Sequence, residues 1–177
     1  VGLGAGIVGA SAVRMAVGLG AQVTVINLDI ERLRVLDDQY HGRIVTRAAS
    51  PAAIEEAVCS ADLVIGAVLV PGAKAPKLVS RVLVSQMRPG SVIVDVAVDQ
   101  GGCIETTRPT TYDSPTYCWE GVTHFAVTNM PGAVPRTSSQ ALSAAIAPYA
   151  SRLTEQDWRA DAGLARGINV EAGKVIH

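Results

Sequence analysis

The chain of 177 residues is poor in aromatic side chains, at 4%, and its 15 Lys and Arg against 16 Asp and Glu leave a net charge of -1. A balance this even, with a pI near 6.3, offers no basic stripe for a nucleic-acid backbone or an anionic membrane, which leaves small solutes as the expected partners. Long hydrophobic runs are missing too. The longest, from Leu63 to Val70, is interrupted by Gly66 and stopped by Pro71 and Gly72, well short of the roughly 20 residues that a membrane helix needs. Cysteine is sparse and odd in number: Cys59, Cys103 and Cys118 form neither a C-x-x-C pair nor a metal-ligand spacing, so a reducing, cytoplasmic compartment is expected and Cys103 and Cys118 read as packing residues. His41, His124 and His177 lack carboxylate or cysteine partners at metal spacing, and no metal is expected; His124, in an apolar stretch, reads as a satisfied core histidine. No basic stretch followed by an apolar segment and a cleavage site opens the chain, as a secretory signal would.

What is abundant is small and aliphatic. Hydrophobic residues make up 49%, a mixture rich in Val, Ala and Gly that suits parallel strands covered on both faces by helices. The length allows one substantial core, hence one domain with a tail. Small and apolar residues recur at helical spacing from Gly6 to Gly20, and Gln22 to Asn27 alternates as a strand should. Asp29 can cap a helix from about Ile30 to Gln39, and Ser50 with Pro51 starts another that ends near Cys59. Arg43 to Arg47, Leu63 to Val68, Ser91 to Val96 and His124 to Val127 read as further strands, with a helix from about Leu78 to Gln86. This alternation predicts an α/β fold, a doubly wound parallel sheet in the Rossmann strand order. After Met130-Pro131-Gly132 the pattern changes to an alanine-rich helix over Ser138 to Ala150, then a short helical turn and a hairpin around Gly173. The glycine run arrives at Gly4, where a complete dinucleotide fold places a whole strand first, so part of the first strand is expected upstream of Val1.

Gly4-Ala5-Gly6-Ile7-Val8-Gly9 matches G-x-G-x-x-G between a strand and a helix. Gly4 permits the tight turn, Gly6 lets a pyrophosphate approach the backbone, and Gly9 lets helix and strand lie close, with the helix N-terminus facing the phosphates. In such folds a carboxylate at the end of the second strand holds the adenosine ribose and disfavours a 2′-phosphate. Here that end carries Asn27, with Asp29 two positions on and Arg32 and Arg34 nearby, so NAD over NADP is a preference only. Beside it stands the alternative that Asp29 is simply a helix cap and both arginines are solvated.

Four further stretches carry a resemblance: Asp62 to Val79 (DLVIGAVLVPGAKAPKLV), Val94 to Gly102 (VDVAVDQGG), Arg108 to Tyr112 (RPTTY) and Asn129-Met130-Pro131. Together they resemble bacterial alanine dehydrogenases, through essentially the whole chain. The resemblance implies reversible, NAD-dependent oxidative deamination of L-alanine to pyruvate and ammonium by a homohexamer. It implies a cofactor domain over residues 1–135, and a segment over 136–177 that returns to a substrate domain mostly outside this chain. Position by position it implies that Gly4 to Gly9 take the pyrophosphate, that Asn27 stands in the place of a ribose-binding Asp, and that Arg32 lies beside the adenosine. Val68 and Leu69 would line the cofactor, and Val96, Val98, Asn129 and Met130 would surround the nicotinamide. Asp99 is the catalytic carboxylate that the resemblance implies, working with a lysine and a histidine that the family places on its other domain. Asn27, and Ala49 where a serine is expected near the adenine, depart from the pattern.

Read from the residues alone, Asp99 lies past the end of a parallel strand, where an open sheet collects ligands, and Gly101-Gly102 gives a substrate close access; a turn-capping carboxylate is the alternative. Asp95 is expected to be structural, hydrogen-bonded to backbone, and Lys74 and Lys77 to be solvated loop lysines. Two other functions stay open. One is the NAD(H)-binding domain of a proton-translocating transhydrogenase, against which Val98 to Gly102 argues. The other is a catalytically silent NAD-binding module.

Overall fold

The computed structural model describes residues 1–176 and divides the chain into two compact units, Val1–Met130 and Pro131–His177. Among the described residues of the first unit, seven strands form one sheet in the order β3-β2-β1-β4-β5-β7-β6. The strands are β1 (Gly2–Leu3), β2 (Val23–Asn27), β3 (Ile44–Ala48), β4 (Leu63–Gly66), β5 (Val92–Asp95), β6 (Thr116–Trp119) and β7 (Val122–Phe125). All neighbours run parallel except β6, which pairs antiparallel with β7 at the edge.

Each helix starts where a local signal places it. Asp29 accepts from the backbone N–H groups of Glu31 and Arg32 and opens α2 (Ile30–Tyr40), while Ser50 accepts from Ala53 N–H and Pro51 occupies the first turn of α3 (Pro51–Ser60). These caps satisfy amides that have no partner within the helix. Helix α1 (Ile7–Gly18) is different: no side chain among the described residues caps it at Gly6, and no acidic residue lies in its first turn.

The sheet is covered on both faces. Val13 and Val17 of α1 and Leu33 and Leu36 of α2 pack with Val23, Val25 and Ile44 on one side. Ile54, Ala57 and Val58 of α3 and Val84 of α4 (Arg81–Ser85) pack with Leu3, Ile26, Val64 and Ile93 on the other. Alternation along each strand sends neighbouring residues such as Val25 and Ile26 to opposite cores. Each fully buried aliphatic side chain of this kind contributes roughly 1.5–3 kcal/mol.

The structure corrects three elements of the sequence reading. The sheet is mostly parallel, as expected, but it gains an unexpected antiparallel edge strand: β6 and β7 form a hairpin through Glu120 and Gly121, both at positive φ (46° and 80°), the backbone a tight two-residue turn requires. Strand β6 is only four residues long, between Pro115 and this turn, too short to carry a strand pattern of its own. Helix α4 begins at Arg81 rather than near Leu78, because Val79, fully buried, pairs with Ile104 in an isolated parallel bridge and Ser80 becomes the cap. Strand β5 ends at Asp95, and Val96–Gln100 is a turn of 3₁₀ helix that Asp95 caps.

The second unit contains α5 (Pro135–Arg152), α6 (Ala162–Arg166) and a hairpin of β8 (Val170–Glu171) and β9 (Lys174–Val175). Pro135 sits in the first turn of α5, three residues before the expected start. Asp161 caps α6 by accepting from Gly163 and Leu164 N–H, and these bonds, with the Arg152 guanidinium against it, hold its carboxyl below the ordinary range. Among the described residues no helix is long and apolar enough to cross a membrane.

Candidate functional site at the carboxyl ends of the strands

The glycine loop joins β1 to α1 in the middle of the sheet. Its geometry is imposed by two close approaches. A Cβ on Gly4, whose φ is +104°, would lie 2.6 Å from the carbonyl oxygen of Ala67, and a Cβ on Gly9 would lie 2.0 Å from the carbonyl oxygen of Gly4. No side chain fits at either point, so the loop folds tightly onto the β4 end and under α1. Ala5 is buried, whereas Ile7 is 91% exposed and Val8 49%. The uncapped amides at the start of a twelve-residue helix, with the helix dipole behind them, suit an anion. The residues present therefore fit a diphosphate.

Asn27 ends β2 beside this loop. Its carboxamide oxygen accepts from Ala5 N–H at 3.1 Å and its Nδ2 donates to the Asp29 carbonyl at 3.0 Å, so it ties the glycine loop to the start of α2. Arg32 lies across the same opening: Nε is 3.4 Å from the Asp29 carboxylate, and Nη1 is 3.7 Å from the position a Cβ on Gly6 would take. Arg34 pairs instead with Glu31 at 2.7 Å. Ala49 follows β3, its N–H bonded to the Asn27 carbonyl at 2.9 Å.

Two neighbouring strands bring the second half of the site together. The 3₁₀ turn after β5 carries Asp99, and the segment after β7 carries Asn129, at φ 52°; the Asn129 N–H lies 3.3 and 3.4 Å from the two carboxylate oxygens of Asp99. Met130 follows, its carbonyl accepting from the Tyr112 hydroxyl at 2.7 Å. Asp99 also lines an open cleft of about 450 Å³ with Gly72, Ala73, Lys74, Gln100 and Gly101, within the roughly 300–1,000 Å³ of small-molecule sites. The Gln100 Oε1, buried beside it, has no hydrogen-bond partner among the described residues. Leu69 is 65% exposed and Val68 packs against the core. Val96 is half-buried, and Val98 is buried, so its side chain packs inside the turn.

Beneath Asp99 lies a carboxylate that holds the turn in shape. Asp95 is fully buried and accepts from the N–H groups of Ala97, Cys103 and Ile104 at 3.1, 3.0 and 3.2 Å, and from the Thr107 hydroxyl at 2.7 Å. Its structural role is thus the one read from the sequence. The Cys103 thiol adds a 3.6 Å contact to it, and burial first, then the charge of Asp95, push that thiol far above its usual range. Cys103 is an inert core residue. Cys118, expected to pack, is exposed on the edge strand β6. Lys77, expected to be solvated, bonds the carbonyls of Gly101 and Ile104 at 2.6 and 3.1 Å. Gly102 also differs from expectation: a Cβ there would meet Asp95 Oδ2 at 2.7 Å, so its missing side chain makes room for the buried carboxylate. His124 is a core residue as expected: its Nε2 and Nδ1 lie 2.8 Å from the Thr106 hydroxyl and 3.1 Å from the Val122 carbonyl.

A doubly wound sheet with a glycine loop at its centre and ligand-facing turns at its carboxyl ends defines a Rossmann-type nucleotide-binding domain. The model of the alanine dehydrogenase/PNT C-terminal domain family matches residues 1–177, and the chain belongs to that family. It is 54% identical over 179 residues to an alanine dehydrogenase of Halomonas elongata, covering 99% of this chain and 48% of that protein. To the alanine dehydrogenase of Bacillus subtilis it is 51% identical over 180 residues, again covering 99% of this chain and 48% of the relative. Among solved structures it is similar to an L-alanine dehydrogenase, with a TM-score of 0.89 at 52% identity over 99% of this chain and 50% of that one. A transhydrogenase from Sinorhizobium meliloti aligns with a TM-score of 0.77 at 26% identity, covering 99% of this chain and 48% of that one. The chain spans about half the length of these relatives.

Proposed function

We propose that the chain is the cofactor-binding part of a cytoplasmic, homohexameric enzyme that reversibly converts L-alanine and water to pyruvate and ammonium with NAD. Residues 1–135 form the cofactor domain and 136–177 lead back to a substrate domain. The observation that carries the reading is the position of Asp99: a carboxylate at the carboxyl end of the sheet, held by a backbone amide, on the same edge as a glycine loop suited to a diphosphate. That identity to alanine dehydrogenases is about twice that to the transhydrogenase supports this chemistry over the alternative.

The amides of Gly4 to Gly9 hold the diphosphate, and Asn27 and Arg32 take the adenosine end. Val68, Leu69, Val96, Asn129 and Met130 surround the reactive ring, while Val98 keeps the turn beneath it packed. When bound, the nicotinamide supplies the acceptor for the hydride from the alanine Cα. Once the substrate ammonium has given up a proton to a base on the substrate domain, Asp99 stabilises the iminium charge that forms on nitrogen as the hydride leaves. It also orders the water that adds to the iminium carbon before ammonium departs. The Asn129 amide fixes the carboxylate in one orientation, which lowers the cost of aligning it.

The test is alanine-dependent NADH formation by the full-length gene product. Activity is expected there, with a fall of about a hundredfold or more in kcat for Asp99→Asn and NADH affinity within a few-fold of the parent. Alanine-independent hydride exchange between nicotinamide nucleotides, or no turnover at all, would replace this reading with the transhydrogenase or the silent module.

A further inference from the structure

We propose that the nucleotide site discriminates only weakly between phosphorylated and unphosphorylated nicotinamide dinucleotides, because its ribose edge presents a neutral carboxamide and an arginine in place of a carboxylate. The inference rests on the dinucleotide reading above and deepens it. In this fold the side chain ending the second strand faces the adenosine ribose, and a carboxylate there excludes a 2′-phosphate by charge. Asn27 removes that charge. Its carboxamide is also turned to internal work, the oxygen receiving Ala5 N–H and one Nδ2 hydrogen going to the Asp29 carbonyl. The second Nδ2 hydrogen is a donor that suits a hydroxyl or a phosphate oxygen equally, which no carboxylate oxygen can offer.

The charges around it point the same way. Asp29 is the nearest acid, but its Oδ1 receives the N–H groups of Glu31 and Arg32, and its Oδ2 faces Arg32 Nε. Its negative charge is therefore compensated by an arginine and a helix N-terminus. Glu31 is held by Arg34. Arg32, 60% exposed, reaches from this group toward Gly6 and keeps its terminal nitrogens for an incoming oxyanion. A guanidinium at such a place suits a phosphate by charge and by geometry.

The experiment is titration of the full-length protein with NADH and, separately, NADPH, followed by the fluorescence of the reduced ring. The NADPH dissociation constant is expected within about tenfold of that for NADH, and Asn27→Asp should widen the ratio by about tenfold or more through restored repulsion. Arg32→Ala should weaken NADPH roughly tenfold more than it weakens NADH, with an unchanged denaturant melt as its folding control. NADH binding with NADPH more than about tenfold weaker in the parent protein would overturn the proposal and leave the dinucleotide reading standing. Equal weakening of both ligands by Arg32→Ala would overturn the part given to Arg32. Failure of either ligand to bind would overturn the dinucleotide reading itself, and the proposal with it.

Discussion

Glycines 9 and 18 lie on the same helix and are under opposite constraints. A methyl group at Gly9 would sit 2.0 Å from the Gly4 carbonyl oxygen, whereas at Gly18 it would meet no described atom within 4 Å. Gly9→Ala should destabilise the domain by about 3 kcal/mol through displacement of the loop, and Gly18→Ala should stabilise it by about 0.5 kcal/mol by lowering the entropy of the unfolded chain. Denaturant melts of the two variants check both signs. Asp95 is governed by hydrogen-bond accounting, since both carboxylate oxygens receive donors. Asp95→Asn must turn an NH₂ group toward one of these sets, and a loss of about 3 kcal/mol is expected in the same melts. Thr107→Val removes one donor and should cost only about 1 kcal/mol.

At the scale of elements, the segment from Val96 to Thr107 is a turn held from three directions. Asp95 holds it from within, Val79 pairs with Ile104 along one side, and Lys77 bonds two of its carbonyls from the loop after β4. Lys77→Met keeps the aliphatic stem and removes the donor. The expected outcome is a stability change of about 1 kcal/mol, faster amide exchange confined to residues 97–105, and a lower kcat with little change in NADH affinity. Amide exchange read by mass spectrometry, beside steady-state kinetics, separates this local loosening from global unfolding. The β6–β7 hairpin matters in the same way: stacking of Tyr117 on His124, centroids 4.9 Å apart, and the Tyr117 hydroxyl bond to the Thr106 carbonyl at 2.7 Å fasten the far end of the turn.

For the whole molecule, one buried group sets a pH dependence. Burial lowers the pKa of His124 from its ordinary 6.5, and the Val122 carbonyl and Asp95 offset this only in part. The unfolded chain then takes up a proton that the folded chain refuses, so the contribution of His124 to stability is level above about pH 6.5 and falls as the pH drops below it, by up to about 1.4 kcal/mol per pH unit until the folded group titrates. Denaturant melts between pH 5.5 and 7.5 should show this slope in the parent and lose most of it in His124→Gln. A slope of the opposite sign would mean that the ring is charged in the folded state.

The elements that the sequence determined by itself are those carried by local signals. Asp29, Ser50 and Pro51 mark helix starts because a cap acts within three residues, the alternation in β2 marks a strand by its period of two, and the apolar runs of β4 and β5 mark strands covered on both faces. The glycine loop was legible for the same reason. The start of α4 and the end of β5 were not, because Val79 and Asp95 take partners 25 and 8 residues away, and strand β6 depends on a turn whose conformation its residue types only permit. The tertiary structure alone decided that Asp99 meets the Asn129 amide across 30 positions, and that Asn27 turns its carboxamide onto Ala5 across 22. Strand order brings those pairs together, and strand order follows from burying both faces of one sheet at once, a condition on the whole chain that no short stretch of it contains.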